Sequence, residues 1–211
     1  MRKLLFCLTF LIIACNNADK PAEQQVIEKK AGQDSMPGAS NATNGKTIIS
    51  EGGISCVRDV PQPIIKKGEF SKTSFDLQKD KQIGIETTDF ENGDKLIIKN
   101  WGCDYYVLTF RFETSRFQSE LTNIPFWYKR AVTLLNEVNK KMDAPIDIIK
   151  GTERLMNQIE EEVPNGYQNL LFDKELDFEE GAIRSFVSLD KVEQLTDNKF
   201  AISITFAKGP L

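Results

Sequence analysis

Tyr105-Tyr106-Val107-Leu108-Thr109-Phe110-Arg111-Phe112 alternates from end to end. Successive side chains on extended backbone point to opposite sides, so this stretch predicts a strand with two different faces. Tyr106, Leu108, Phe110 and Phe112 share one face, and Tyr105, Val107, Thr109 and Arg111 share the other. Upstream, Lys95-Leu96-Ile97-Ile98-Lys99 reads as a second short strand, entered through Glu91-Asn92-Gly93-Asp94. Asn-Gly between apolar runs signals a hairpin, because both residues tolerate the positive φ of a type I′ turn. Gln82-Ile83-Gly84-Ile85-Glu86 and Thr73-Ser74-Phe75-Asp76-Leu77 alternate as well. Short connections between the four predict an antiparallel meander.

Downstream the period lengthens. Trp127, Ala131, Leu134, Leu135, Val138 and Met142 recur at helical spacing, with Asn123 as cap and Pro125 in the opening turn. This helix is expected to end before Asp143-Ala144-Pro145. A second is expected to open after Gly151-Thr152, to carry Leu155, Ile159 and Val163 on one face, and to stop at Pro164-Asn165-Gly166. Alternation returns ambiguously at Leu170-Leu171-Phe172 and clearly over 182–189 and 199–206, where Phe200, Ile202, Ile204 and Phe206 oppose Ala201, Ser203, Thr205 and Ala207. Strands, two helices, then strands predict a single α+β domain over residues 46–211. Its mostly antiparallel sheet carries both helices on one face. No repeat of fixed period is present.

Composition bounds the chemistry. Of 211 residues none is histidine, which removes imidazole as base, proton shuttle and metal ligand. Ser-His-Asp and Cys-His hydrolases, HExxH metalloproteases and His-ligated zinc or haem sites cannot be built from this chain alone. Carboxylate chemistry, Ser-Lys pairs, thiols and oxygen-ligated cations survive. Gly53-Ile54-Ser55 matches only the first half of a nucleophile elbow, with Val57 where the second glycine belongs. Glu160-Glu161-Glu162 and the acids Glu175, Asp177, Glu179 and Glu180 could serve a glycosidase, which needs two carboxyl groups about 5 to 10 Å apart. Such runs more often line solvated faces. The acids around Asn92-Gly93 lack EF-hand spacing and are better explained as the hairpin turn. Neither a cofactor, a metal site nor a catalytic residue is predicted.

The chain starts Met1-Arg2-Lys3, continues with an apolar run from Leu4 to Ala14, and reaches Cys15. A basic start and a short apolar run ending in a small residue have the layout of a secretory signal peptide. About 11 apolar residues at 1.5 Å each give a helix of ~16 Å, too short for a hydrocarbon core near 30 Å. Ile12-Ile13-Ala14-Cys15 resembles the lipobox of bacterial lipoproteins. That resemblance implies cleavage of residues 1–14, acyl chains on Cys15 and anchoring by lipid. Asn16, where an Asp would favour retention at the inner membrane, implies the outer membrane facing the periplasm, with surface display as the alternative. Residues 15–45 then form a polar linker with too little apolar surface to fold, and a reach of about 30 Å. Twenty-seven basic residues less the two in the leader leave 25 against 31 acids, a mature net charge of −6. This argues against a nucleic-acid partner, which demands a clustered basic surface.

Within the domain, Cys56 and Cys103 are the two cysteines, and in an exported protein they are expected to pair. Closing that loop is worth roughly 4 kcal/mol on chain entropy. A reactive thiol pair is the alternative, without the spacing of a redox motif. Phe126, Trp127 and Tyr128 open the first helix beside Lys129 and Arg130. On a helix the three rings point about 100° apart, so they cannot all face a sheet. Phe126, Trp127, Tyr128 and Arg130 are therefore the candidate binding residues, since aromatic and Arg side chains are enriched at interface hot spots. Together these features favour a lipid-anchored, non-catalytic module that binds an envelope protein, in the manner of an inhibitor or immunity protein. A carboxylate-dependent hydrolase of envelope glycan and a small-ligand carrier are the alternatives. Mass spectrometry of the membrane-extracted protein should find residues 1–14 missing and an acylated Cys15; a Cys15→Ala protein that is still processed and membrane-bound would refute the anchor.

Overall fold

The computed structural model describes residues 48–49 and 55–211. The expected leader, Cys15 and the linker of residues 15–45 lie outside the described residues. In chain order the elements are β1 (Ile48–Ile49), β2 (Ser55–Cys56), β3 (Thr73–Leu77), β4 (Gly84–Asp89), β5 (Lys95–Trp101) and β6 (Tyr106–Thr114). Then follow α1 (Ile124–Val138), α2 (Ile148–Glu162), β7 (Leu176–Glu179), β8 (Arg184–Thr196) and β9 (Lys199–Gly209). β1 pairs with β2, and the other seven strands form one antiparallel sheet in the order β3-β4-β5-β6-β9-β8-β7. The chain leaves this sheet at its centre after β6 and runs through both helices. It re-enters at the far edge as β7, and β9 finally closes against β6.

The α+β class and the meander of β3 to β6 agree with the alternation in the sequence. The β4–β5 turn corrects the expected geometry. It occupies residues 90–94, and within it Gly93 has a positive φ, 86°, while Asn92 does not. The Gly93 N–H donates to the Phe90 carbonyl (3.0 Å) and the Phe90 N–H to the Asp94 carbonyl (2.8 Å). This is a longer turn with one left-handed residue, in place of a type I′ pair. Asn92 serves instead as an acceptor, taking the Asp94 N–H on Oδ1 (3.0 Å). The buried Asp94 carboxylate meets Arg116 Nε (2.6 Å), whose Nη1 reaches Glu137 of α1 (2.8 Å). One guanidinium thus fastens the hairpin tip to the helix.

Asn123 caps α1, its Oδ1 accepting the Phe126 N–H (3.3 Å), and the whole expected stripe from Trp127 to Met142 is buried. α2 starts earlier than expected, at Ile148, because Asp147 caps it by accepting the Lys150 N–H (3.0 Å). Gly151 and Thr152 consequently lie inside the helix. Val163 is not on the buried face: it falls in a 3-10 turn, Val163–Asn165, which breaks the helical period and leaves it 56 % exposed. Leu170-Leu171-Phe172 is loop, and the strand lies later, at β7.

Both helices pack on the face of the sheet that carries Leu108, Phe110 and Phe112 of β6 and Phe200, Ile202, Ile204 and Phe206 of β9. Trp127 lies against Phe200 with ring centroids 5.0 Å apart, and Phe110 meets Phe206 edge-on at 5.5 Å. Each such side chain contributes about 1.5 to 3 kcal/mol by leaving water. The segment before β3 is tied to the same face by Glu86, whose buried carboxylate accepts the N–H groups of Ile64 (2.8 Å) and Ile65 (3.2 Å). At Gly151, α2 approaches the sheet so closely that a Cβ would overlap the Phe206 ring. Alanine in a helix is ordinarily better than glycine by about 1 kcal/mol, whereas overpacking costs about 1 to 3 kcal/mol. Gly151→Ala is therefore expected to lower stability in urea unfolding, and a gain would mean that α2 does not sit this close to β9.

Candidate functional site

The face of the sheet turned away from α1 and α2 carries the alternate residues of every strand, and among the described residues no helix lies on it. Cross-strand pairing sorts these side chains into rows. One row runs Trp101 on β5, Val107 on β6, Ala207 on β9 and Phe186 on β8. Two aromatic residues, three strands and about 14 Å apart at ~4.8 Å per strand, thus flank two small ones. The neighbouring row is polar, with Thr109 on β6, Thr205 on β9 and Ser188 on β8. A cavity of about 560 Å³ opens above this trough.

A β-bulge brings in a fourth polar side chain. On β8, Leu189 pairs with Ile204 and Lys191 with Ser203, which leaves Asp190 as the extra residue. Without the extra residue strict alternation would send one of Asp190 and Lys191 to the helix side; the bulge puts both on the uncovered face. There the Asp190 carboxylate accepts the Ser188 hydroxyl on Oδ1 (2.5 Å) and the Thr205 hydroxyl on Oδ2 (2.6 Å). Thr205 Oγ1 is 3.0 Å from Thr109 Oγ1, and Thr109 Oγ1 accepts the indole N–H of Trp101 (3.2 Å). Burial pushes the Asp190 carboxyl above the usual carboxylate range, against the pull of its two hydroxyl bonds. Asp173 adds to the rise.

The walls are held from outside. On one side, Gly102 takes a φ of 106°, and a Cβ there would strike the Tyr105 carbonyl. This tight loop carries Trp101 and Tyr105 and is fastened to β2 by the Cys56–Cys103 disulfide, with Cα atoms 4.8 Å apart. From the opposite face Arg58 donates to the Trp101 carbonyl and to Asn100 Oδ1 (2.8 Å). Its burial against the Tyr106 ring, 4.6 Å from the guanidinium, lowers the Arg58 pKa and accompanies a Tyr106 pKa pushed up to about 12, chiefly by desolvation. On the other side, Arg184 lies 4.6 Å over the Phe186 ring and is held by Glu175 (2.6 Å) and Asp177 (2.8 Å). Farther along the same face Arg111, Glu113, Glu193, Lys191 and Lys199 form a lattice of ion pairs.

The aromatic residues that open α1 are mostly interior. Trp127 faces the sheet and Tyr128 is covered by the loop after α2, and both are 0 % exposed. The indole N–H of Trp127 donates to the Glu120 carbonyl (2.9 Å), and the Tyr128 hydroxyl donates to the Leu171 carbonyl (2.8 Å). Burial pushes the Tyr128 pKa up to about 12. Rings about 100° apart cannot all face the sheet, but the loop through Leu171 supplies a second burying surface. Phe126 and Arg130 remain half-buried, the guanidinium 4.7 Å over the Phe126 ring. Among the acidic runs, Glu162 is a buried acceptor for Asn169, Glu175 and Asp177 hold Arg184, and Glu160 and Glu161 face solvent.

Among the described residues no three His, Cys, Asp or Glu side chains converge as metal ligands, and no helix is long and apolar enough to cross a membrane. Comparisons with protein-family models, with curated proteins and with solved structures find no match.

Asp190 is a stored cost. Its carboxyl binds a proton more tightly in the folded chain than in the unfolded one, so stability rises as pH falls from neutral toward the ordinary Asp value near 3.9. Asp190→Asn is expected to raise the thermal midpoint at about pH 7 and to lose that advantage by about pH 4. An equal loss of stability at both pH values would mean that the ionised carboxylate holds the strands together.

Proposed function

We propose that this chain is a lipid-tethered, non-catalytic binding module of the cell envelope that takes a protein partner on the uncovered face of its sheet. The observation that carries the reading is the trough itself. A sheet whose one face is buried under two helices leaves the other with Trp101, Tyr105 and Phe186 around a hydroxyl and carboxylate floor. Aromatic side chains with a few convergent polar groups are what a recognition surface needs, and Trp and Tyr anchors dominate interface energies. The trough is open along its length, which suits the tip of a partner better than an enclosed small ligand. The lipid on Cys15 and the linker of about 30 Å reach would hold the domain near the membrane while leaving this face free to meet the partner. Phe126 and Arg130 of α1 lie on the helix side of the sheet and are a secondary contact at most.

The hydrolase alternative has one observation in its favour. Asp190 holds its proton above the usual range within the trough. Of the other acids lining the cavity, Glu175 is tied up by Arg184, while Asp104 and Asp173 are outside the ion pairs and are the groups that would have to supply the second carboxylate a glycosidase uses.

Photo-crosslinking residues placed at Tyr105 and at Lys191, with Met156 on the outer side of α2 as control, test the reading in the native envelope. The same partner should be captured from Tyr105 and Lys191 and not from Met156. Capture from Met156 alone would overturn it, and envelope-glycan turnover lost in Asp190→Asn would establish the hydrolase instead.

A further inference from the structure

The hydrogen-bond chain across the trough has a direction, and the direction dictates what can bind. Trp101 Nε1 can only donate, and it donates to Thr109 Oγ1 (3.2 Å). Thr205 spends its one hydrogen on Asp190 Oδ2 (2.6 Å), so in the Thr109–Thr205 contact (3.0 Å) the donor is Thr109. Ser188 spends its hydrogen on Asp190 Oδ1. Every side-chain donor of the floor is therefore consumed within the protein. A hydroxyl has one hydrogen and two lone pairs, so Thr109 and Thr205 each keep one free lone pair and Ser188 keeps two. The carboxylate of Asp190 keeps the rest of its own. The floor is composed of acceptors.

Charge points the same way. Asp104, Asp173 and Asp190 line the cavity, and among the described residues none of them is in an ion pair. Arg184 is neutralised by Glu175 and Asp177. The opposing cations are Lys99, whose ammonium rests 4.4 Å from the Trp101 ring, and Lys191, which acts on Asp190 but is paired with Glu193 (3.0 Å). An occupant must bring N–H donors and positive charge, and its remaining surface must suit the apolar walls of Trp101, Val107, Ala207 and Phe186.

From this geometry we infer that the trough receives a basic side chain of a protein partner, an arginine or lysine whose charged end meets Asp190 and the hydroxyl row while its stem lies along the aromatic walls. The inference rests on the reading of the uncovered face as the partner-binding face and adds the chemistry of what enters it. Long basic side chains combine an apolar stem with a charged end, and that is the division the trough presents. A polyhydroxylated sugar also donates hydrogen bonds but brings no charge to balance the three acids.

Calorimetric titration of the full chain with Nα-acetyl-arginine methylamide and Nα-acetyl-lysine methylamide tests this. The matched neutral probes are the citrulline and norleucine analogues, with N-acetylglucosamine as the sugar control. At least one cationic probe should bind with a dissociation constant of the order of a millimolar, as befits one isolated side chain. The neutral analogues should bind about tenfold more weakly or worse. Asp190→Asn, checked for folding by near-UV circular dichroism, should weaken the cation by about tenfold and leave the neutral probes unchanged. Should that variant not fold, Ser188→Ala removes two lone pairs from the floor and should weaken the cation several-fold. Equal binding of cationic and neutral probes, binding of the sugar alone, or no saturable binding of either cation overturns the inference. The crosslinking map decides separately whether the uncovered face meets a partner at all.

Discussion

The pairing of β6 with β9 joins the two halves of the sheet, from Tyr106 opposite Lys208 to Thr114 opposite Phe200. Both helices and two strands lie between the partners in sequence, so this ladder forms only when the chain has turned back on itself. It carries the centre of the core, because Leu108, Phe110 and Phe112 meet Phe206, Ile204 and Ile202 across it. It also carries the centre of the trough, because the same register sets Val107 beside Ala207 and Thr109 beside Thr205. A slip of one residue would turn every side chain of β9 to the wrong face and dissolve core and trough together.

Two buried or partly buried carboxylates show how the faces differ in purpose. Glu86 lies on the helix side, and its pKa is raised by burial, yet it accepts two backbone N–H groups that would otherwise be orphaned. It is a structural clasp. Asp190 lies on the uncovered side, is placed there by an irregular strand, and is satisfied by two hydroxyls that leave its outward lone pairs open to the cavity. A group that is unfavourable where it stands, at the edge of a cavity, is of the kind that functional sites collect.

The cysteine pair acts on the same arrangement from a distance. By tying β2 to the loop after Trp101, the disulfide limits the motion of the wall that carries Trp101 and Tyr105. Arg58 holds the Trp101 carbonyl from the helix side. Opposite, Arg184 is fixed by two acids across the face of Phe186. Walls held in this way lose little conformational freedom when a partner arrives, which favours recognition.

Most of the fold was legible because secondary structure is a matter of period. Alternation in 105–112 and 199–206 marked β6 and β9, and the stripe from Trp127 to Met142 marked α1. The cap at Asn123 was legible in the sequence, whereas the one at Asp147 was not, because Gly151-Thr152 offers a competing start one turn later. The compartment that the expected leader would imply made a disulfide of Cys56 and Cys103 the expected state, and the two are bonded. The trough was hidden. Thr109, Thr205, Ser188 and Asp190 come from three strands, none adjacent in sequence to Trp101, and nothing local says that they are neighbours. Tyr128 was misjudged for the same reason, since a loop more than forty residues away supplies its cover. By itself the sequence determined most of the strands and helices and their apolar sides, though not the start of α2, the place of β7 or the exposure of Val163, because period depends on backbone geometry repeated every two or 3.6 residues while the ends of elements do not. Only the tertiary structure decided which polar side chains share a surface, because that depends on non-local register and on one extra residue in β8.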